Sequence, residues 1–193
     1  MQTSFQEKEL HLIIYILRFE GGTYFNDNEY EIFKQLAKNN HQSHFIFVWT
    51  RASDNKKSQK KVYNLVKESF IKMINKGIKD ENKEDKPKTI NTLSYLYYCQ
   101  KKYIYENEVN HDDIKGKNFK DMEFYEKFEL KFKGKEEEEK NKEMVSTIID
   151  LDKNFIFANL KKDEDHEKLF GMNKISYQII EALKNIKSFN MKI

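Results

Sequence analysis

His44-Phe45-Ile46-Phe47-Val48-Trp49-Thr50-Arg51-Ala52-Ser53-Asp54 is the stretch that decides the fold. Phe45 to Trp49 is an unbroken apolar run, aromatic and β-branched, that stops at a polar tip. A strand with one wet face alternates apolar and polar side chains, and this one does not. The run therefore predicts a central strand of a parallel sheet covered by helices on both faces. Thr50 to Asp54 would sit at the carboxyl end of that strand, where open α/β sheets take their ligands.

Outward from this strand the same logic repeats. Residues 10–19 (Leu-His-Leu-Ile-Ile-Tyr-Ile-Leu-Arg-Phe) form a second continuous apolar strand, closed by Gly21-Gly22. Asn26 or Asp27 can cap a helix whose apolar positions Tyr30, Phe33, Leu36 and Ala37 keep helical spacing. Strand, helix, strand is a right-handed crossover unit. After Asp54, residues 57–76 make an amphipathic helix with Val62, Leu65, Val66, Phe70, Met73 and Ile74 on one stripe, and Gly77 is placed to stop it. A third strand is expected at 154–160, followed by a turn at Gly171 and a last helix with Ile175, Ile179, Leu183 and Ile186 inward. The fold class is α/β: a partial three-layer sheet of mainly parallel strands (10–19, 44–49 and 154–160) with flanking helices.

Thr50-Arg51-Ala52-Ser53-Asp54 resembles the guanine-recognition motif of P-loop GTPases, in the Thr-Arg-x-x-Asp form of the AIG1-like (GIMAP), septin-related branch. The resemblance covers 1–76 and 147–193, the second half of such a domain. It implies that Asp54 accepts hydrogen bonds from the guanine ring nitrogen and exocyclic amine. A carboxylate offers two acceptors to two parallel N–H donors, each charge-assisted bond worth roughly 1.5 to 3 kcal/mol. Thr50 and Arg51 would shape the loop, and the small residue after the third strand, Ala158, would present its amide to the guanine carbonyl. The lysine that the family places two residues before the aspartate, packed over the base, is Ala52 here. The plain alternative makes Asp54 no more than the cap of the following helix.

The sequence lacks the Gly-x-x-x-x-Gly-Lys-[Ser/Thr] phosphate loop, and no Asp-x-x-Gly precedes the first strand. GTP or GDP is the implied ligand, and Mg²⁺ is implied only where an amino-terminal half supplies its site. No catalytic residue is assigned, and the chain as it stands is not expected to hydrolyse GTP alone. The alternative function is a non-catalytic interaction or structural subunit of a larger assembly, since three strands leave an open sheet edge.

Composition narrows the classes further. Of 193 residues, 35 are Lys or Arg and 32 Asp or Glu, a formal net charge of +3, so no strong field favours nucleic acid or an acidic membrane. Arg18 and Arg51 are the only arginines, and the remaining 33 basic residues are lysines, so lysine-rich patches carry little information. Cys99, the single cysteine, excludes an internal disulfide and fits a reducing compartment. Neither a membrane span nor a signal pattern is read in the sequence, and a soluble intracellular (cytoplasmic) protein is expected.

Residues 77–146 read as an insertion, with charge runs at 79–88 and 133–142 expected to be mobile or solvated. Its middle carries many aromatics, from Leu93 to Tyr105 and from Phe119 to Leu130, expected to pack on each other or on a protein partner. His41-x-x-His44 has nominal metal spacing without further ligands, and the default is a pair of ordinary histidines. The tyrosines and lysines of 95–105 could stack on single-stranded nucleic acid. Packing is the favoured role.

Overall fold

The computed structural model describes residues 10–18, 25–84, 86–107, 109–161 and 168–184. Three strands, β1 (Leu12–Leu17), β2 (His44–Trp49) and β3 (Phe155–Phe157), form one sheet in the order β1-β2-β3, parallel throughout. β2 is buried along its whole length, as its apolar run requires. Helix α1 (Asp27–Asn39) makes the crossover from β1 to β2. Asn26 caps it, with its side chain on the Glu29 amide and the Glu29 carboxylate on the Asn26 amide, each 3.0 Å. Tyr30, Phe33 and Ala37 are buried, and Phe33 packs edge-on against Tyr15 and Phe70.

Helix α2 (Lys56–Asp80) follows the Thr50–Asp54 loop and buries Tyr63, Val66, Phe70, Ile74 and Ile78. It continues past Gly77, the expected stop. That glycine lies where the Tyr30 hydroxyl and ring come against α2, and a β-carbon there would collide with them. Close helix contact, not termination, explains the residue.

Residues 77–146 do not stand apart from the sheet. They form the end of α2, α3 (Lys86–Lys101), a wider π-type turn at Lys102–Glu106, α4 (Tyr125–Phe132) and most of α5 (Glu137–Ile148). Leu96, Cys99, Phe119, Met144 and Val145 are fully buried in the same core as Phe33, Phe45 and Phe70. Tyr98 stacks on Phe124, and Phe119 meets Tyr95, Tyr125 and Phe128 edge-on. The charge runs expected to be mobile or solvated span the end of α2, the turn at 81–84, the start of α3, the turn at 133–136 and the start of α5. Most of their charged side chains are exposed, while Glu81 is largely buried on Thr89 and Lys34 and Asn141 is buried in α5.

Two buried amides tie these parts to β2. Gln100 accepts from the Phe45 amide (3.1 Å) and donates to the Ser43 carbonyl (2.7 Å). Asn154 donates to the carbonyls of Phe45 and Ile148, both 2.8 Å, and accepts from the Asp150 amide at 2.8 Å.

Among the described residues, helix α6 (Met172–Lys184) alone covers the opposite face. Ile175 is buried and Ile179 packs beside it on Ile46, Val48, Ile156 and Ala158; Ile186, expected on the same stripe, lies outside the described residues. The expectation that β1 is buried on both faces fails here. Tyr15 is buried against α1 and Leu17 in the same core, but Ile14 is 39% and Ile16 66% exposed on the α6 side. Among the described residues α6 is the one helix on this face; it reaches Leu12 and leaves Ile14 and Ile16 exposed.

Candidate functional site

The rim beyond β2 and β3 is built by backbone bonds between neighbouring loops. Thr50 donates its amide (3.0 Å) and its hydroxyl (3.3 Å) to the Leu17 carbonyl, joining the β2 loop to the end of β1. Arg51 then turns the chain in a left-handed conformation, φ 55°, which is uncommon for a residue with a side chain and marks a sharp exit from the strand. Ala52 is buried and donates its amide to the Ala158 carbonyl at 3.2 Å, joining the same loop to the end of β3. A lysine at this position would have to carry its chain out of a buried site, which accounts for the small residue.

Asp54 comes next. Asn55, not Asp54, caps α2, with its Oδ1 accepting from the amides of Lys57 (2.9 Å) and Ser58 (3.1 Å). Ser53 is held as well, its carbonyl accepting from Gln59 Nε2 at 2.8 Å. Asp54 is thus left without a structural duty. It is exposed, and among the described residues its carboxylate meets one group, the Lys168 ammonium at 3.5 Å. The capping reading of Asp54 is therefore not the one realised.

Lys168 arrives from the segment after β3. There Asn159 and Phe170 exchange two backbone bonds (3.1 and 3.0 Å), and Asn159 Nδ2 donates to the Lys168 carbonyl at 2.9 Å. Gly171 closes the turn at φ 94°, where an added β-carbon would stand 2.6 Å from the Phe157 carbonyl oxygen and 2.7 Å from Ala158. Only glycine fits this close approach.

The Ala158 amide, implied as a contact to the base, is donated to the Trp49 carbonyl at 2.8 Å and so belongs to the sheet. Ala158 anchors the rim and offers it no donor. Thr50, Arg51, Asp54 and Ala158 do share one rim, and Lys168, which no motif identified, joins them.

No family model matches the chain, and no curated protein or solved structure matches it.

The other constellations resolve into packing. His41 lies against Tyr95 (ring centroids 4.4 Å apart) and His44 against Tyr103 (4.7 Å), so the two histidines face different rings. Among the described residues no group of three or more His, Cys, Asp or Glu side chains could hold a metal ion. Cys99 is fully buried, and burial pushes its thiol up, away from the reactive thiolate. No helix among the described residues is long and apolar enough to cross a membrane.

Proposed function

We propose that the β2 rim is the base-recognising part of a guanine-nucleotide site, in the manner of the AIG1-like, septin-related GTPases that the Thr50–Asp54 motif resembles. The observation that carries the proposal is Asp54: an exposed carboxylate at the carboxyl end of the central parallel strand, relieved of capping by Asn55 and bonded to nothing in its own loop. Two acceptor oxygens there suit the paired N–H donors on the guanine edge. Thr50 and Ala52 hold the loop to its neighbours, and Arg51 supplies the turn. The Ala158 amide plays no part in recognition, because the sheet uses it.

GDP or GTP is the ligand this chemistry selects, in an intracellular setting where Cys99 stays reduced. Phosphate and Mg²⁺ would be held by a glycine-rich loop, a pattern absent from the sequence given, and hydrolysis is outside the proposal. Calorimetric titration with GDP, IDP and ADP tests it. Inosine keeps the ring N–H and lacks the exocyclic amine, so IDP should bind about 10-fold or more weaker than GDP, and ADP weaker still. Equal affinity for GDP and ADP would refute guanine recognition.

A second reading, a non-catalytic interaction module, is favoured by a different observation. The exposed Ile14 and Ile16 lie on an edge strand, and such an edge invites another chain. Most rings of the aromatic insertion pack in the core, while Tyr105 stays exposed.

A further inference from the structure

Among the described residues β1 is an edge strand, and its own sequence carries none of the usual edge protections. Leu12-Ile13-Ile14-Tyr15-Ile16-Leu17 carries no charge, proline or glycine, in a chain where 35% of residues are charged. The carbonyls of His11 and Leu17 accept from His44 and Thr50, so the odd-numbered residues face β2. In a parallel pair, the N–H and C=O groups of Leu12, Ile14 and Ile16 then turn toward the free edge, unpaired in the sheet of the described residues. The same three residues place their side chains on the α6 face, where exposure rises from Leu12, partly buried, to Ile14 at 39% and Ile16 at 66%.

We infer that this edge pairs with β1 of a second copy of the chain. The inference goes beyond guanine recognition and does not depend on it. A two-fold axis through Ile14 makes the strands antiparallel, with Ile14 opposite its counterpart and Leu12 opposite the counterpart of Ile16. All three outward residues then meet outward residues, and each such pair exchanges two backbone bonds. Their side chains fall on one face, so the most exposed, Ile16, is covered by the Leu12 of the other copy. At the ends Arg18 falls opposite Leu10, so no like charges oppose each other among the described residues. The strand is therefore complementary to itself, as an isologous interface requires. The product is a six-stranded sheet in the order β3-β2-β1-β1-β2-β3, without an open apolar edge at its centre.

Sedimentation at about 50 µM protein, a concentration at which such an interface should be populated, gives the first test. The wild-type chain should run at twice 23.4 kDa, and Ile16→Lys should weaken the dimer by about 100-fold, because two ammonium groups would be buried per interface. Because that variant could fold poorly, Ile14→Cys supplies a second readout. Opposed residues of a hydrogen-bonded antiparallel pair lie about 5.5 Å apart at Cα, within disulfide reach. Mild oxidation should link Ile14→Cys into covalent dimers about 10-fold faster than Ile32→Cys on the exposed face of α1, with Cys99 buried and silent. A monomeric wild type overturns the inference, whether or not hydrogen exchange finds the Leu12, Ile14 and Ile16 amides covered by another part of the chain. So does a dimer that survives Ile16→Lys and crosslinks no faster at position 14 than at 32.

Discussion

The Lys168 ammonium lies 3.5 Å from the Asp54 carboxylate and joins the loops that follow β3 and β2. Both side chains are more than half exposed, 74% and 57%, so the pair contributes little to folding. Lys168→Ala should change the unfolding free energy by less than about 1 kcal/mol in urea titration. A guanine edge has to displace this ammonium or share the carboxylate with it, so the same variant should bind GDP up to about 5-fold more tightly by calorimetry.

Tyr30 and Gly77 form a tight helix contact whose cost can be divided. Gly77→Ala would favour α2 by propensity, yet the new methyl meets the Tyr30 hydroxyl, and a net loss of about 1 to 3 kcal/mol is expected. The hydroxyl is buried without a hydrogen-bond partner, so Tyr30→Phe should be neutral or stabilising. In the double variant the cost of Gly77→Ala should fall by about 1 kcal/mol or more, a coupling read from a four-member cycle of chemical unfolding curves.

Asn154 satisfies two carbonyls and one amide at the joint of α5, β2 and the turn before β3. Asn154→Ala should cost about 3 kcal/mol or more, since two buried carbonyls and the partly buried Asp150 amide lose their partner. Asn154→Asp should be at least as severe at neutral pH, because it sets a carboxylate against the Phe45 and Ile148 carbonyls. Thermal melts of the two variants beside wild type decide the order.

His44 makes stability depend on pH. It is 3% exposed, and burial lowers its pKa to about 4, so it is neutral in the folded chain. Unfolded, it titrates near 6.5, and the unfolded state therefore takes up the extra proton first. The stability from this group is fully present above about pH 6.5 and is lost as pH falls toward 4, a loss of about 3 kcal/mol at most. His41, also lowered by burial, acts in the same sense. Urea midpoints between pH 7 and 4.5 should fall steeply in wild type and less steeply in His44→Gln.

Much of the fold could be read from the sequence because β2 is covered on both faces, and its apolar run reports that directly. The capping chemistry of α1 was legible for the same local reason. β1 was misread because its equally apolar run reflects one buried face and one face that the described residues leave exposed at Ile14 and Ile16, a difference that depends on where α6 crosses. The charge runs around 79–88 and 133–142 fall on helix ends and the turns between them, next to packed helices, and Gly77 recorded a neighbour 47 positions away in sequence rather than a helix end. At the rim, Thr50 to Asp54 were visible as a motif, with Asn55 as the competing cap beside them. Lys168 was not visible, since only the Asn159 and Phe170 pairing brings it to Asp54. The Ala158 amide could not be judged until its bond to Trp49 was seen.

The most direct test of guanine recognition at Asp54 is a paired titration of wild type and Asp54→Asn with GDP and xanthosine diphosphate. Where a carboxylate accepts from the exocyclic amine of guanine, the asparagine amide can donate to the carbonyl that xanthine carries at the same place. Wild type should prefer GDP, and Asp54→Asn should reverse the preference by about 10-fold or more. Binding of neither nucleotide by wild type, or an unchanged preference in the variant, would contradict a guanine-reading carboxylate at the end of β2.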